Sequence, residues 1–316
     1  MVELLSKKEL APLLGVKNGD PLCIIVEEVP EGTMDMPKAP PAAPGKKALS
    51  ISDQKGIYDN VGEAVKAETA RYLCQILIDW KGGKLDSGSG IGLKIGPSYF
   101  ILTAAHVIMN STLESLWIFH RPSYSEERVT PIHMNRCGGE MGGILDVGFI
   151  EIAAGDVERL GLSFLTLDRV SKDLTTARDN LVMINGFPAQ TIERIRDGIY
   201  SKALLYITVL QDEEDWHQEA DPSLEIEVDY PKNVLEIDKT APIDLPDAPG
   251  MSGGGLWESN PGPRDQIWSG QQVKLLGIIT VWGREGRWVR ANRVANHLKL
   301  IADEYPHLKE YLRGWL

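Results

Sequence analysis

From Tyr72 onward the chain alternates short apolar or β-branched runs with turn residues. Tyr72 to Ile78, Gly90 to Ile95 and Tyr99 to Leu102 are punctuated by Gly82-Gly83, Gly88 and Gly96-Pro97. Further strand-like runs cover Leu116 to Phe119, Val147 to Ile152, Leu181 to Ile184, Ala203 to Leu210, Leu224 to Val228, Gly277 to Val281 and Arg287 to Val289. Helical spacing is confined to a weak stripe over Asn60 to Tyr72, broken by Thr69, and to a pattern from Asn292 onward with Val294, Leu298 and Ile301 on one face, interrupted at Pro306. Many short strands between turn signals, with hardly a long helix, predict an all-β sandwich or barrel.

The first part of the chain differs. A short helix around Leu4 to Leu14 and a strand over Pro21 to Val26 precede Pro37-Lys-Ala-Pro-Pro-Ala-Ala-Pro-Gly45, whose prolines favour an extended linker. Residues 1–48 are therefore expected to be an N-terminal extension to a domain spanning 49–316. Gln211 to Asp229 carries many carboxylates and is expected to be a solvated loop and strand edge.

The 316 residues suffice for one large domain or two small ones packed together. The net charge of -12 argues against a dominant attraction to nucleic acid or anionic membrane. Cys23, Cys74 and Cys137 form no CxxC pair and no zinc-site spacing, and are expected to be buried free thiols. No apolar run approaches the length of a membrane span, and Glu3, Lys7, Lys8 and Glu9 interrupt any leader-like core, so a cytoplasmic location is expected. Neither a HExxH nor a P-loop pattern occurs, and no metal or cofactor is expected.

Chemistry concentrates in three places. Gly250-Met-Ser-Gly-Gly-Gly255 holds one hydroxyl between glycines, where backbone N–H groups can approach a substrate closely. Such a serine needs an imidazole to take its proton and a carboxylate to orient the imidazole. Of the six histidines, His120, His133, His217, His297 and His307 have the neighbours of surface or helix positions, whereas His106 ends the apolar run Tyr99 to Ala105. Asp146 opens Asp146-Val-Gly-Phe-Ile-Glu-Ile152, a charge directly before a buried-looking strand.

Thr103-Ala-Ala-His106, Asp146-Val-Gly-Phe149 and Gly250-Met-Ser-Gly-Gly254 resemble the His, Asp and Ser signatures of trypsin/chymotrypsin-like serine proteases, in the same chain order. Gly88-Ser-Gly-Ile-Gly92 with Phe100-Ile-Leu-Thr103 is similar to the corresponding run of bacterial HtrA-like proteases. Gly277-Ile-Ile-Thr-Val-Trp-Gly283 resembles the family strand that binds substrate backbone, and Asn292 to Ile301 the closing helix, so the likeness spans roughly residues 70 to 303.

The resemblance implies two packed six-stranded antiparallel β-barrels, about 70–165 and 175–291, with a C-terminal helical segment over 292–316. It implies a serine endopeptidase with His106, Asp146 and Ser252 as triad, Gly250 and Ser252 amides as oxyanion hole, and Val281, Trp282 and Gly283 as substrate-binding backbone. Met251 stands where trypsin-type enzymes carry an activating aspartate, so activation through that ion pair is not expected. No PDZ-like segment is expected after the barrels. Pro246 and Asp247 are expected to wall the primary pocket, with Asp247 either selecting a basic side chain or capping a turn. Arg284, Arg287 and Arg290 either favour an acidic side chain or are ordinary hairpin charges. Expected partners are a protein or peptide substrate and, through residues 1–48, a further protein. Two alternatives stay open: a catalytically silent peptide-binding module, and an effector of a bacterial regulatory or defence system docked through that segment.

Overall fold

The computed structural model describes residues 22–25, 62–80, 84–109, 116–120, 134–142, 145–172, 181–195, 198–210, 213–217, 220–236, 242–259, 269–285 and 287–316. The helix expected at Leu4 to Leu14 and the proline-rich linker lie outside them. Two antiparallel sheets dominate. The first orders six strands as Leu116–Phe119, Leu73–Trp80, Lys84–Ile95, Ser98–Thr103, Leu145–Ile152 and Met134–Gly142.

The second has nine strands, ordered Glu225–Asp229, Trp288–Arg293, Lys274–Gly283, Gly255–Glu258, Leu181–Gly186, Leu204–Val209, Leu22–Ile25, Asn233–Glu236 and Pro242–Asp244. A bridge between Leu210 and Val228 brings Glu225–Asp229 back against the Leu204–Val209 strand, closing six of the nine into a barrel. The fold is all-β with a C-terminal helix. The expected six-stranded second barrel is extended by three flanking strands. One is Leu22–Ile25, antiparallel to Leu204–Val209 and parallel to Asn233–Glu236.

The apolar runs are nearly continuous because both faces of many strands are buried. In Ser98–Thr103, Ile101 enters the core of the first sheet, while Phe100 and Leu102 enter a layer between the two sheets. In Leu181–Gly186, Val182 and Ile184 fill the second barrel and Met183 faces the shared layer. A period of two thus sends alternate residues to two different cores. Helix Val294–Glu304 adds Val294, Leu298 and Ile301 to the shared layer, all fully buried. It starts two residues after Asn292, which belongs to strand Trp288–Arg293.

Met134–Gly142 escapes sequence reading because Gly138, Gly139 and Gly142 carry no strand preference; its pairing with Leu145–Ile152 supplies the order. Cys74 is buried, and loss of hydration pushes its thiol pKa well above the usual range. The side chains of Cys23 and Cys137 lie outside the description. No helix among the described residues is long and apolar enough to cross a membrane.

Candidate active site

His106 sits in the single turn Ala105–Ile108 that follows strand Ser98–Thr103. Ala104 and Ala105 are fully buried, fixing the turn against the core of the first sheet. Asp146 lies near the start of the next strand of that sheet, Leu145–Ile152. Its Oδ2 is 2.5 Å from His106 Nδ1, and its Oδ1 accepts the His106 backbone N–H at 2.9 Å. One carboxylate therefore holds both the ring and the main chain of the histidine. Its side chain is 15% exposed and that of His106 42%, so the ring edge bearing Nε2 is free to meet a second group.

Ser252 comes from the second barrel, on the loop before strand Gly255–Glu258. Gly250 and Gly253 have φ of +93° and +90°, and a Cβ on Gly253 would lie 1.8 Å from the Ser89 carbonyl oxygen. Only glycine fits there. Consecutive carbonyls of the loop are all engaged. Ala248 O accepts from Met251 N, Pro249 O from Ala189 N, Met251 O from Gly254 N and Ser252 O from Ser89 N. Gly250 O accepts from Ser89 Oγ.

These bonds decide where the opposite groups point. Every described peptide is trans, so each C=O is directed away from the N–H of the next residue. With Pro249 O and Met251 O tied down, the N–H groups of Gly250 and Ser252 are held to the other side, and among the described residues neither has an acceptor. The loop presents two unspent donors flanking a hydroxyl.

The two halves meet at Gly88. A Cβ there would lie 2.6 Å from Val107 Cγ1 and 3.2 Å from Ser252 O, so the serine loop packs within a side chain's width of the residue after His106. No hydrogen bond joins Ser252 to His106 among the described residues.

Met251 is fully buried in the second core, where Tyr230 Oη donates to Pro246 O at 2.7 Å and lies 3.7 Å from the Met251 sulfur. Apolar burial and this sulfur contact anchor the loop at Met251.

In strand Lys274–Gly283, Ile279 donates to Gly254 O and accepts from Gly253 N, clasping the serine loop. Strand Gly255–Glu258 pairs only up to Ile278, so Val281, Trp282 and Gly283 pair with Arg290, Val289 and Trp288 on one side and, among the described residues, have no strand on the other. Val281 is 38% exposed. An open cavity of about 470 Å³ is lined by Gln190, Thr191, Lys202, Lys232, Asp244, Pro246, Asp247 and Arg287, among others; Val281, Trp282 and Gly283 do not line it. Asp247 faces Arg287 Nη1 at 3.6 Å, and with Lys202 and Lys232 opposite Asp244 the cavity shows both signs of charge. Arg290 is buried on the face of its strand opposite Val289 and Ala291, bonded to Glu227 at 2.9 Å and near Glu225 at 3.7 Å, and does not line the cavity. Burial raises the Glu225 carboxyl pKa, with Arg290 opposing that rise.

Three residues adjoin the site that sequence reading did not single out. Asn292 is fully buried in the second barrel, and its Oδ1 accepts the Asp146 N–H at 2.9 Å across the interface. His297, expected at a surface or helix position, lies in the closing helix and is fully buried; its Nε2–H donates to Thr103 O, three residues before His106. Burial lowers its pKa to about 4, so the ring is neutral near pH 7. It lies three residues after Val294 and one before Leu298, on the apolar stripe already recognised, and that spacing was the available signal. The third is Ser89, fully buried between the sheets.

No family model and no curated protein matches the chain. Solved structures do match over most of its length. An inactivated protease paralogue of the scabies mite, S-I1, is 14% identical over 76% of this chain and 96% of its own, with a TM-score of 0.48. HL collagenase is 14% identical over 75% and 95%, with a TM-score of 0.49. The active form of the Rv3671c protease from M. tuberculosis is 13% identical over 77% and 85%, with a TM-score of 0.43. The likeness is one of fold. It takes in an inactivated paralogue and an active protease alike.

Proposed function

We propose that the protein is a serine endopeptidase that hydrolyses peptide bonds through an acyl-enzyme. The observation that carries this reading is the serine loop: Ser252 with its own N–H and that of Gly250 uncommitted, on a loop that meets the His106 turn at Gly88 and Val107, with His106 already bound to Asp146. In this mechanism Ser252 Oγ attacks the scissile carbonyl while His106 Nε2 takes its proton, Nδ1 being turned to Asp146. The tetrahedral oxyanion is met by the Gly250 and Ser252 amides, and loss of one such donor typically costs about 10²-fold to 10³-fold in rate. His106 returns the proton to the leaving amine; water then cleaves the ester by the same route in reverse. The open edge at Val281 to Gly283 lies two residues past the serine-loop clasp, where an extended peptide can pair with it.

A fluorophosphonate probe tests the assignment: labelling is expected in the unmodified protein and lost in Ser252→Ala and His106→Ala. Equal labelling in both variants would sink the triad. Proteome cleavage profiling then defines the preferred side chain.

The catalytically silent reading draws on the missing hydrogen bond between Ser252 and His106, and it predicts peptide capture with no probe uptake by the unmodified protein. Docking of a protein partner through residues 1–48 is a further part of the proposal. Its test is deletion of that segment, with regulated cleavage or partner capture as readout; an unchanged result removes it.

A further inference from the structure

Ser89 is a small residue in the strand Lys84–Ile95 of the first sheet, beside the strand Ser98–Thr103 that leads into His106. It is fully buried, and each of its polar groups is used. Its N–H donates to Ser252 O at 2.7 Å, and its hydroxyl donates to Gly250 O at 2.9 Å. The same hydroxyl accepts the Phe187 N–H at 2.9 Å, and its carbonyl accepts Thr103 Oγ1 at 2.8 Å. One residue thus holds the carbonyls on either side of Met251 and reaches Thr103, at the end of the strand that leads into His106.

We infer that Ser89 is a positioning residue for the oxyanion hole: its hydroxyl holds the peptide between Gly250 and Met251, which joins the two peptides carrying the Gly250 and Ser252 N–H groups, and so sets the angle between those donors. The reason is geometric. Gly250 at φ +93° is a soft position, since glycine rotates where other residues cannot. Pro249 O, on one side of it, is fixed by Ala189; the peptide on the other side is held at its N–H by Ala248 O and at Gly250 O by the Ser89 hydroxyl. Without that hydroxyl, Gly250 O and the Phe187 N–H both lose a partner in a dry interface, and the peptide is left with the Met251 N–H bond to Ala248 O alone. A tilt of that peptide changes the angle between the Gly250 and Ser252 N–H groups on either side of it. A Ser89 side chain also spans the junction between sheets, so it ties the hole to the same first-sheet frame that carries His106.

The inference rests on the reading of Ser252 as nucleophile, and its test keeps the two apart. Fluorophosphonate labelling rates are measured for the unmodified protein, Ser252→Ala, Ser89→Ala and Ser89→Cys, each corrected for the folded fraction by its own thermal transition. Failure of the unmodified protein to label removes the nucleophile reading itself. If it labels, Ser89→Ala is expected to react at least about tenfold more slowly per folded molecule, and Ser89→Cys, which keeps size and a weak donor, to fall between the two. A lowered melting temperature with an unchanged rate per folded molecule would show a role in packing alone and overturn the inference. Should Ser89→Ala not fold, the Ser89→Cys rate decides by the same criterion.

Discussion

Burial of His297 makes stability depend on acid in a way that can be worked out. The ring is fully buried and its pKa is lowered to about 4, chiefly by loss of hydration; its bond to Thr103 O, the charge of Asp146 and the Arg293 backbone offset that only in part. In the unfolded chain an ordinary histidine titrates near 6.5, as does this one by its reference value. The unfolded state therefore binds more protons between these values, and stability falls as pH drops from about 6.5 toward 4. For that pair of values the loss from this ring is about 2 kcal/mol at pH 5 and approaches about 3 kcal/mol below pH 4. Urea unfolding at a series of pH values, for the unmodified protein and His297→Gln, isolates the contribution, because carboxylates common to both cancel in the difference. The variant carries a pH-independent cost of its own but is expected to lose about 2 kcal/mol less between pH 7.5 and 5. Parallel stability curves would refute the reasoning.

Other expectations follow from packing and charge. Arg290→Met leaves Glu225 and Glu227 buried without their cation and is expected to destabilise by about 3 to 5 kcal/mol in chemical denaturation, less if Glu227→Gln is added. Met251→Ala empties a fully buried position beneath the serine loop, at about 2 to 5 kcal/mol, with slower probe labelling as the loop loosens. Asn292→Ala removes the acceptor of the Asp146 N–H; the expected result is slower labelling with the fold retained, and an unchanged rate would show that Asp146 is held well enough by its own sheet. Arg287 has φ +53°, so Arg287→Gly relieves backbone strain while freeing Asp247; cleavage profiling is expected to shift toward basic side chains with little change in melting temperature.

Alternating apolar runs and their turn residues are a local signal, and they made most of the strands, the all-β class and the closing helix legible. His106, Asp146 and Gly250 to Gly255 stood out because each breaks its local pattern. What stayed hidden depends on partners distant in the chain. Met134–Gly142 is a strand only because Leu145–Ile152 pairs with it. Asn292 looks like a helix-start residue until the second barrel turns it toward Asp146. Arg290 in sequence is one of three similar hairpin arginines; the pleat turns it away from Val289 and Ala291 onto two buried glutamates and leaves Arg284 exposed. Ser89 lies within a glycine-rich run that suggested family likeness, but nothing local says that its hydroxyl meets a residue 161 positions away.

The bonds across the two barrels also set a timetable. Asp146 waits for Asn292, 146 residues later, and the strand before His106 waits for His297, 194 residues after Thr103. At a synthesis rate of roughly 5 to 20 residues per second, many seconds separate the emergence of the histidine from that of the groups that steady it. A growing chain therefore carries His106 and Asp146 for some time before Asn292 and His297 can reach them. Ribosome-stalled chains ending before residue 290 are expected to take up no fluorophosphonate.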